Sequence, residues 1–349
     1  MQHTLHQLFG IPTNIIQAPM AGVQNWELAV AVSKAGGLGS IPCGMLTPEQ
    51  VAAEIEQFKA HSNYLYNLNF FCHHMPPVNK SRLANWQEKL QHHYDELGLK
   101  APSEITGLRY PFDEDVADTI ESFQPPIISF HFGLPAPKLV ERIKSWGTII
   151  LASATTVEEA VWLQNHGADM IIAQGVEAGG HRGMFLSNDL ATQLPTLELV
   201  TAIREQVSLP IIAAGGIGSK KDVERLISQG CSGVQVGTAF LLCDEAKTTS
   251  VHRAAIKSSN TKSAITNIFS GRPARGIVNK VMLEFGCISD DAPEFPYASI
   301  ALAPLRAKAE SLNSSDFTPL WAGTNTEGCQ ETTASQLIET LAVATNTVE

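Results

Sequence analysis

One imidazole stands in a setting suited to proton chemistry. His181 closes the run Gln174-Gly175-Val176-Glu177-Ala178-Gly179-Gly180-His181-Arg182-Gly183, and histidine is the side chain that titrates nearest neutrality. The glycines around it let backbone approach a ligand closely. Two further glycine sites, Gly215-Gly216 and Gly237-Thr238, each follow a short apolar run and precede a helical start. Backbone N–H groups there, aided by a helix N-terminus, suit a phosphate. Asn69, Gln174 and Gln235 are amides at or near the ends of apolar runs. A buried amide needs partners, and a heteroaromatic ring with alternating donors and acceptors supplies them. Phosphate and polar ring together make flavin mononucleotide (FMN) the economical ligand, although other phosphorylated ligands fit the same spacing. His131 lies between Phe130 and Phe132 and reads equally as a packed ring or a working one. Arg182 is either a cation for an anionic substrate or a brace for its own loop. The pairs His73-His74 and His92-His93 lack a carboxylate at metal-ligand spacing and read as solvated, so no metal site is expected.

The elements that must position these residues follow one rhythm over the first 245 positions. Eight apolar runs occur: Ile15 to Ala18, Leu38 to Ile41, Tyr64 to Phe71, Ile127 to Phe130, Thr148 to Ala152, Met170 to Ala173, Ile211 to Ala214 and Gly233 to Val236. Without clean alternation they suit parallel strands buried on both faces. Helical starts lie between them: Thr47-Pro48-Glu49-Gln50, Thr156-Val157-Glu158-Glu159 and Ser219-Lys220-Lys221-Asp222 each place a capping residue three before an acid or amide. Eight strands with intervening helices predict a (β/α)₈ TIM barrel, whose strand-to-helix loops carry the active site. A doubly wound sheet is the alternative, but Ala18-Pro19-Met20-Ala21-Gly22 is not G-x-G-x-x-G. Residues 76–126 are too long for a plain connection and read as a rim insertion with one helix near Leu83 to Leu97. After position 245 the pattern predicts a smaller, mostly helical lid or substrate subdomain over 246–349. Its helices are Lys247 to Ile256, Ile300 to Leu312 and Ser335 to Ala344, the last returning to the barrel.

Composition narrows the function. The 349 residues carry 24 Lys plus Arg against 35 Asp plus Glu, a formal net charge of −11, which gives no footprint for nucleic acid or anionic membrane. No apolar run reaches the roughly 18 residues of a membrane span, and the start Met1-Gln2-His3-Thr4 lacks a secretory pattern. The six cysteines include no CxxC pair, which excludes a recognisable zinc or disulfide framework and fits a reducing cytoplasm. A small-molecule enzyme, monomer or homodimer, is expected.

With the loops in hand, the sequence resembles the class I nitronate monooxygenases, formerly called 2-nitropropane dioxygenases. The resemblance is carried by Gln17-Ala18-Pro19-Met20-Ala21-Gly22-Val23 running on to Ala35-Gly36-Gly37-Leu38-Gly39, by Asn69-Phe70-Phe71, by Ser129-Phe130-His131-Phe132-Gly133-Leu134-Pro135, and by the His181 run. It implies non-covalent FMN and oxidation of alkyl nitronates, such as propionate 3-nitronate, with O₂ to carbonyl compounds and nitrite. It implies FMN contacts from Pro19, Met20, Ala21, Gly22, Asn69, Gln174, Gly179, Gly180, Gly215, Gly216, Gln235, Val236, Gly237 and Thr238. Met20 and Gly22 are expected near the ring, with His181 as the catalytic residue. The alternatives are a flavin-dependent NADH:quinone or enoyl-thioester reductase of the same barrel type, or a non-catalytic flavin-binding protein.

Overall fold

The computed structural model describes residues 4–258 and 261–343. The eight apolar runs become the parallel strands β1 (Ile15–Gln17), β2 (Gly39–Pro42), β3 (Tyr66–Phe71), β4 (Ile127–His131), β5 (Ile149–Ala154), β6 (Met170–Gln174), β8 (Ile211–Ala214) and β9 (Gly233–Val236). The intervening β7 (Gly180–His181) lies outside the barrel. The strand order is β1-β9-β8-β6-β5-β4-β3-β2, and a parallel bridge between Ile16 and Leu38 closes the ring. Nearly every strand residue is buried, because side chains pointing inward fill the cylinder and those pointing outward meet helices. That double burial is why the runs show no two-residue alternation. Leu5, from the short helix Leu5–Phe9, joins Ile16, Leu38, Leu151 and Ile212 in one apolar cluster.

Local chemistry sets the helices. Thr47 and Gln50 form a reciprocal capping box at Pro48–His61, and Ser219 with Asp222 forms another at Lys220–Ser228. At Val157–Asn165, Thr156 caps Glu159 N–H, but the Glu159 carboxylate does not return the bond. It accepts instead from Thr155 and from the amides of Phe185 and Leu186, so this expected box is half a box and Glu159 ties down the chain beyond His181.

The rim stretch holds more structure than its sequence suggested. One expected helix is two, Lys80–Lys89 and Gln91–Glu96, and Glu114–Glu121 is a further helix before β4. Trp86, Leu90 and Tyr94 share a cluster with Val281, Met282, Leu302 and Leu305, which locks the excursion to the C-terminal part. That part contains helices Ser250–Lys257, Lys280–Phe285, Ala298–Ser311 and Ala334–Leu341. The last packs through Leu337 and Ile338 against Leu28 and Val32 of the barrel, while Ala344 lies outside the described residues. The same part also contributes a hairpin, β10 (Ser263–Thr266) and β11 (Ala274–Ile277), absent from the helical expectation. Strand β11 pairs antiparallel with β7, setting Ala274 opposite His181. The short strand holding His181 takes its strand pairing from the C-terminal part. Among the described residues no helix is long and apolar enough to cross a membrane, and no cysteine forms a disulfide.

Candidate active site

The loops after the strands enclose one cavity at the C-terminal mouth of the barrel. Every residue expected to hold the cofactor lines it, as do His131 and His181; Arg182 does not. The loop after β6 shows why. Arg182 is 1% exposed and donates to the carbonyls of Gln174 and Gly175 and to Gln193 Oε1, at 2.6, 2.7 and 2.9 Å. Its role as a substrate cation is thus corrected to that of a loop brace, and burial pushes its pKa down to about 9. Gln174 works the same way: its Nε2 donates to His181 O at 3.0 Å and its Oε1 accepts from Gly183 N at 2.8 Å. His131 Nε2 reaches the same His181 carbonyl at 3.0 Å. Glu177 accepts from Thr196 N and Oγ1 at 2.8 and 2.7 Å, and Arg275 donates to Val176 O. Each polar side chain of this loop except that of His181 is committed to holding the loop's shape.

A Met at position 182 would leave three acceptors bare, each costing about 1–3 kcal/mol if it stays buried. Arg182→Met is therefore expected to lower the unfolding free energy by at least about 2 kcal/mol, read as a fall in the urea midpoint. An unchanged midpoint would remove the bracing role.

His181 is left facing the cavity. Its Nε2 meets Ser270 Oγ at 2.9 Å, and Phe71, Phe132, Phe295 and Trp321 surround the ring with centroids 6.1, 6.0, 5.5 and 5.5 Å away. Burial, followed by the nearby Arg109 cation, lowers its pKa well below 6.5. The imidazole is neutral at physiological pH and can accept a proton.

The anion cradle forms opposite. Gly216 has φ +71° and Gly215 φ +126°, where L side chains are strained. Among the described residues the amides of Gly215, Gly216 and Gly237 donate to no backbone or side-chain acceptor. A segment the sequence did not single out closes this corner. Gly323 N donates to Thr238 Oγ1 at 2.9 Å, Asn325 Nδ2 to Gly216 O at 3.1 Å and Thr324 N to Glu177 O at 3.0 Å. Gly179 permits that crossing, since a Cβ there would stand 2.6 Å from Ala322 C and Gly323 N. On the ring side of the cavity, Asn69 Nδ2 is held by Ser129, and Gln235 Oε1 is buried with no partner among the described residues.

Two cations were also missed. Arg109, from the rim stretch, lines the cavity with a buried Nη1 that has no partner among the described residues, and Arg306 lines it while paired to Glu310 at 2.8 Å. Arg109 follows no strand end in sequence; only the fold carries it inward. His73 and His93, expected in solvent, are 3% and 1% exposed. His73 Nε2 sits 3.1 Å from Arg109 O and supports that segment.

A closed barrel with bare amides after its last two strands and a neutral imidazole at its mouth defines a phosphocofactor-binding enzyme of the (β/α)₈ class. The comparisons are specific. A family model described as nitronate monooxygenase matches residues 2–343. The nitronate monooxygenase of Pseudomonas aeruginosa is 35% identical over 339 residues, 96% of this chain and 97% of that one. That of Paraburkholderia phytofirmans is 33% identical over 344 residues, 97% of this chain and 94% of the other. The crystal structure of a nitroalkane oxidase from Streptomyces ansochromogenes superposes with TM-score 0.85 at 33% identity, covering 97% of this chain and 96% of that one. FabK from Thermotoga maritima shares the fold, with TM-score 0.73 at 24% identity over 97% of this chain and 94% of its own. The chain belongs to the nitronate monooxygenase family and is an oxidoreductase that oxidises nitronates.

Proposed function

We propose that the cavity binds FMN and oxidises small alkyl nitronates with O₂ to carbonyl compounds and nitrite. The observation that carries this reading is the pairing of bare Gly215, Gly216 and Gly237 amides with the orphaned Gln235 Oε1. A ribityl phosphate satisfies the first and the N–H edge of a flavin ring the second. Met20 and Gly22 wall the ring side, and Asn69 adds a polar contact. When bound, FMN supplies the redox chemistry between nitronate and O₂, which no side chain here can perform. The chain binds, orients and moves protons. Arg109 draws the nitronate anion to the mouth, and the surrounding Phe and Trp rings exclude water. For a neutral nitroalkane, the neutral imidazole of His181, its Nε2 held by Ser270, accepts the α-proton at Nδ1. The cavity-lining residues of the rim stretch 76–126 and of 246–349, among them Arg109, His252, Arg306 and Trp321, select the substrate. Six cysteines without a disulfide among the described residues fit a cytoplasmic setting, and we place the enzyme there as a monomer or homodimer.

Purified protein is expected to be yellow, to release FMN on denaturation, and to consume O₂ with nitrite release on addition of propionate 3-nitronate. A colourless protein that cannot be reconstituted, or saturable flavin reduction by NADH without nitrite from the nitronate, would replace this reading with a carrier or a reductase. Arg109→Met is expected to raise the KM for nitronate about ten- to hundredfold, since a hydrogen bond to a charged group is worth about 1.5–3 kcal/mol, with kcat little altered. An unchanged KM would free Arg109 of that role.

A further inference from the structure

Away from the cavity, the helix Gln91–Glu96 of the rim stretch meets the helix Lys280–Phe285 of the C-terminal part. His92, His93 and Glu284 converge at this seam. We propose that these three side chains form a binding site for a divalent transition-metal ion of the zinc class, which pins the rim excursion to the C-terminal part.

The argument starts from His93. It is 1% exposed, its ring stands edge-on to Phe317 at 4.8 Å, and among the described residues neither of its nitrogens makes a hydrogen bond. A buried imidazole without partners is costly and asks for one. Its Nε2 lies 3.0 Å from Glu284 Oε2 without hydrogen-bond alignment, and His92 Nε2 lies 2.8 Å from Glu284 Oε1. One ligand atom from each of the three residues falls within 4.8 Å of the other two. Tetrahedral zinc, with bonds of about 2.0–2.2 Å, holds neighbouring donors about 3.3 Å apart. The two imidazole–carboxylate contacts, at 2.8 and 3.0 Å, need only open by a few tenths of an ångström, while the widest pair, at up to 4.8 Å, closes by rotation of the exposed His92 and Glu284 side chains. Glu284 is partly exposed and can make that shift. Two imidazoles and a carboxylate are a borderline donor set that suits zinc and leaves a position for water. Glu96 Oε2 stands 3.6 Å from His93 Nδ1, just beyond hydrogen-bond distance, and a small rotation of this exposed side chain brings it onto the Nδ1 proton, leaving the Nε2 lone pair for the ion. Lys280 lies 3.8 Å from Glu96 and offsets that acid's charge, leaving Glu284 for the metal.

The test uses tag-free, flavin-loaded protein, stripped with a chelator, desalted and titrated with Zn²⁺. The expected result is one Zn²⁺ retained per chain by elemental analysis, with a rise in melting temperature. His92→Ala and Glu284→Gln should each weaken binding at least tenfold and abolish that rise, with flavin absorbance and nitrite release unchanged. The exposed His92 carries the test because a change at buried His93 could unfold the seam. Substoichiometric zinc in the unmodified chain, or undiminished affinity in both variants, overturns the site and leaves a carboxylate–imidazole contact.

Discussion

Replacing His181 with Asn is expected to slow turnover of a neutral nitroalkane by about 10² to 10⁴-fold, the scale of a positioned general base, while leaving flavin content intact. The retention follows from the way the loop is held. Gln174, Arg182, His131 and Arg275 fix it through backbone groups and through their own side chains, so removing the imidazole ring does not loosen the frame. A pre-formed nitronate needs no α-proton removed and should lose much less. The comparison of the two substrates separates proton transfer from general damage. The pH profile adds a second reading. Burial and Arg109 hold the His181 pKa well below 6.5, so the base form persists as pH falls through 6.5. Nitroalkane turnover should therefore show no inflection there. Equal losses on both substrates, or undiminished nitrite from the nitroalkane, would reduce His181 to a packing residue.

How far the sequence could be read depended on range. The barrel was legible because each strand is a short apolar run, a pattern set by local burial on both faces, and the last three are followed directly by Gly175, Gly215 and Gly237. Gly215-Gly216 and Gly237-Thr238 were legible because a bare-amide cradle needs glycine at a fixed distance from a strand end. The roles of polar residues within the His181 loop were not. Arg182 and Gln174 carry the residue types of a binding site, and only the carbonyls they meet show that they brace it. Arg109, His73 and His93 were missed for a related reason. They lie outside the strand runs, and their burial comes from Phe295, Phe317 and the C-terminal part, some two hundred residues away. The β10–β11 hairpin is short and partly exposed. Its partner, β7, is two residues long, too little for any periodicity to register.

Acid should destabilise this protein well before its carboxylates titrate. His73 and His252 are 3% and 2% exposed, and burial pushes both pKa values down to about 4. Secondary contributions come from the Arg272 and Arg109 cations at His73 and from Arg306 at His252. In the unfolded chain these rings titrate near 6.5. The unfolded state therefore binds protons first as pH drops, and stability present above 6.5 is lost progressively toward 4. Each ring accounts for about 3 kcal/mol across that interval, a large share of a typical domain's stability of about 5–15 kcal/mol. Glu27, Glu121 and Glu331, held below 4.5 by their ion-pair and hydrogen-bond partners, contribute only below that window. Urea unfolding between pH 7 and 4.5 should show a fall of several kcal/mol, with His252→Gln flattening the slope. Both rings stand beside cavity-lining arginines, so their protonation sets buried like charges against Arg109 and Arg306 and pushes apart the segments that wall the cavity. The flavin site should consequently loosen early, with loss of bound colour preceding loss of far-ultraviolet helical signal. A stability curve flat from pH 7 to 5 would mean that these imidazoles reach water more freely than their burial allows.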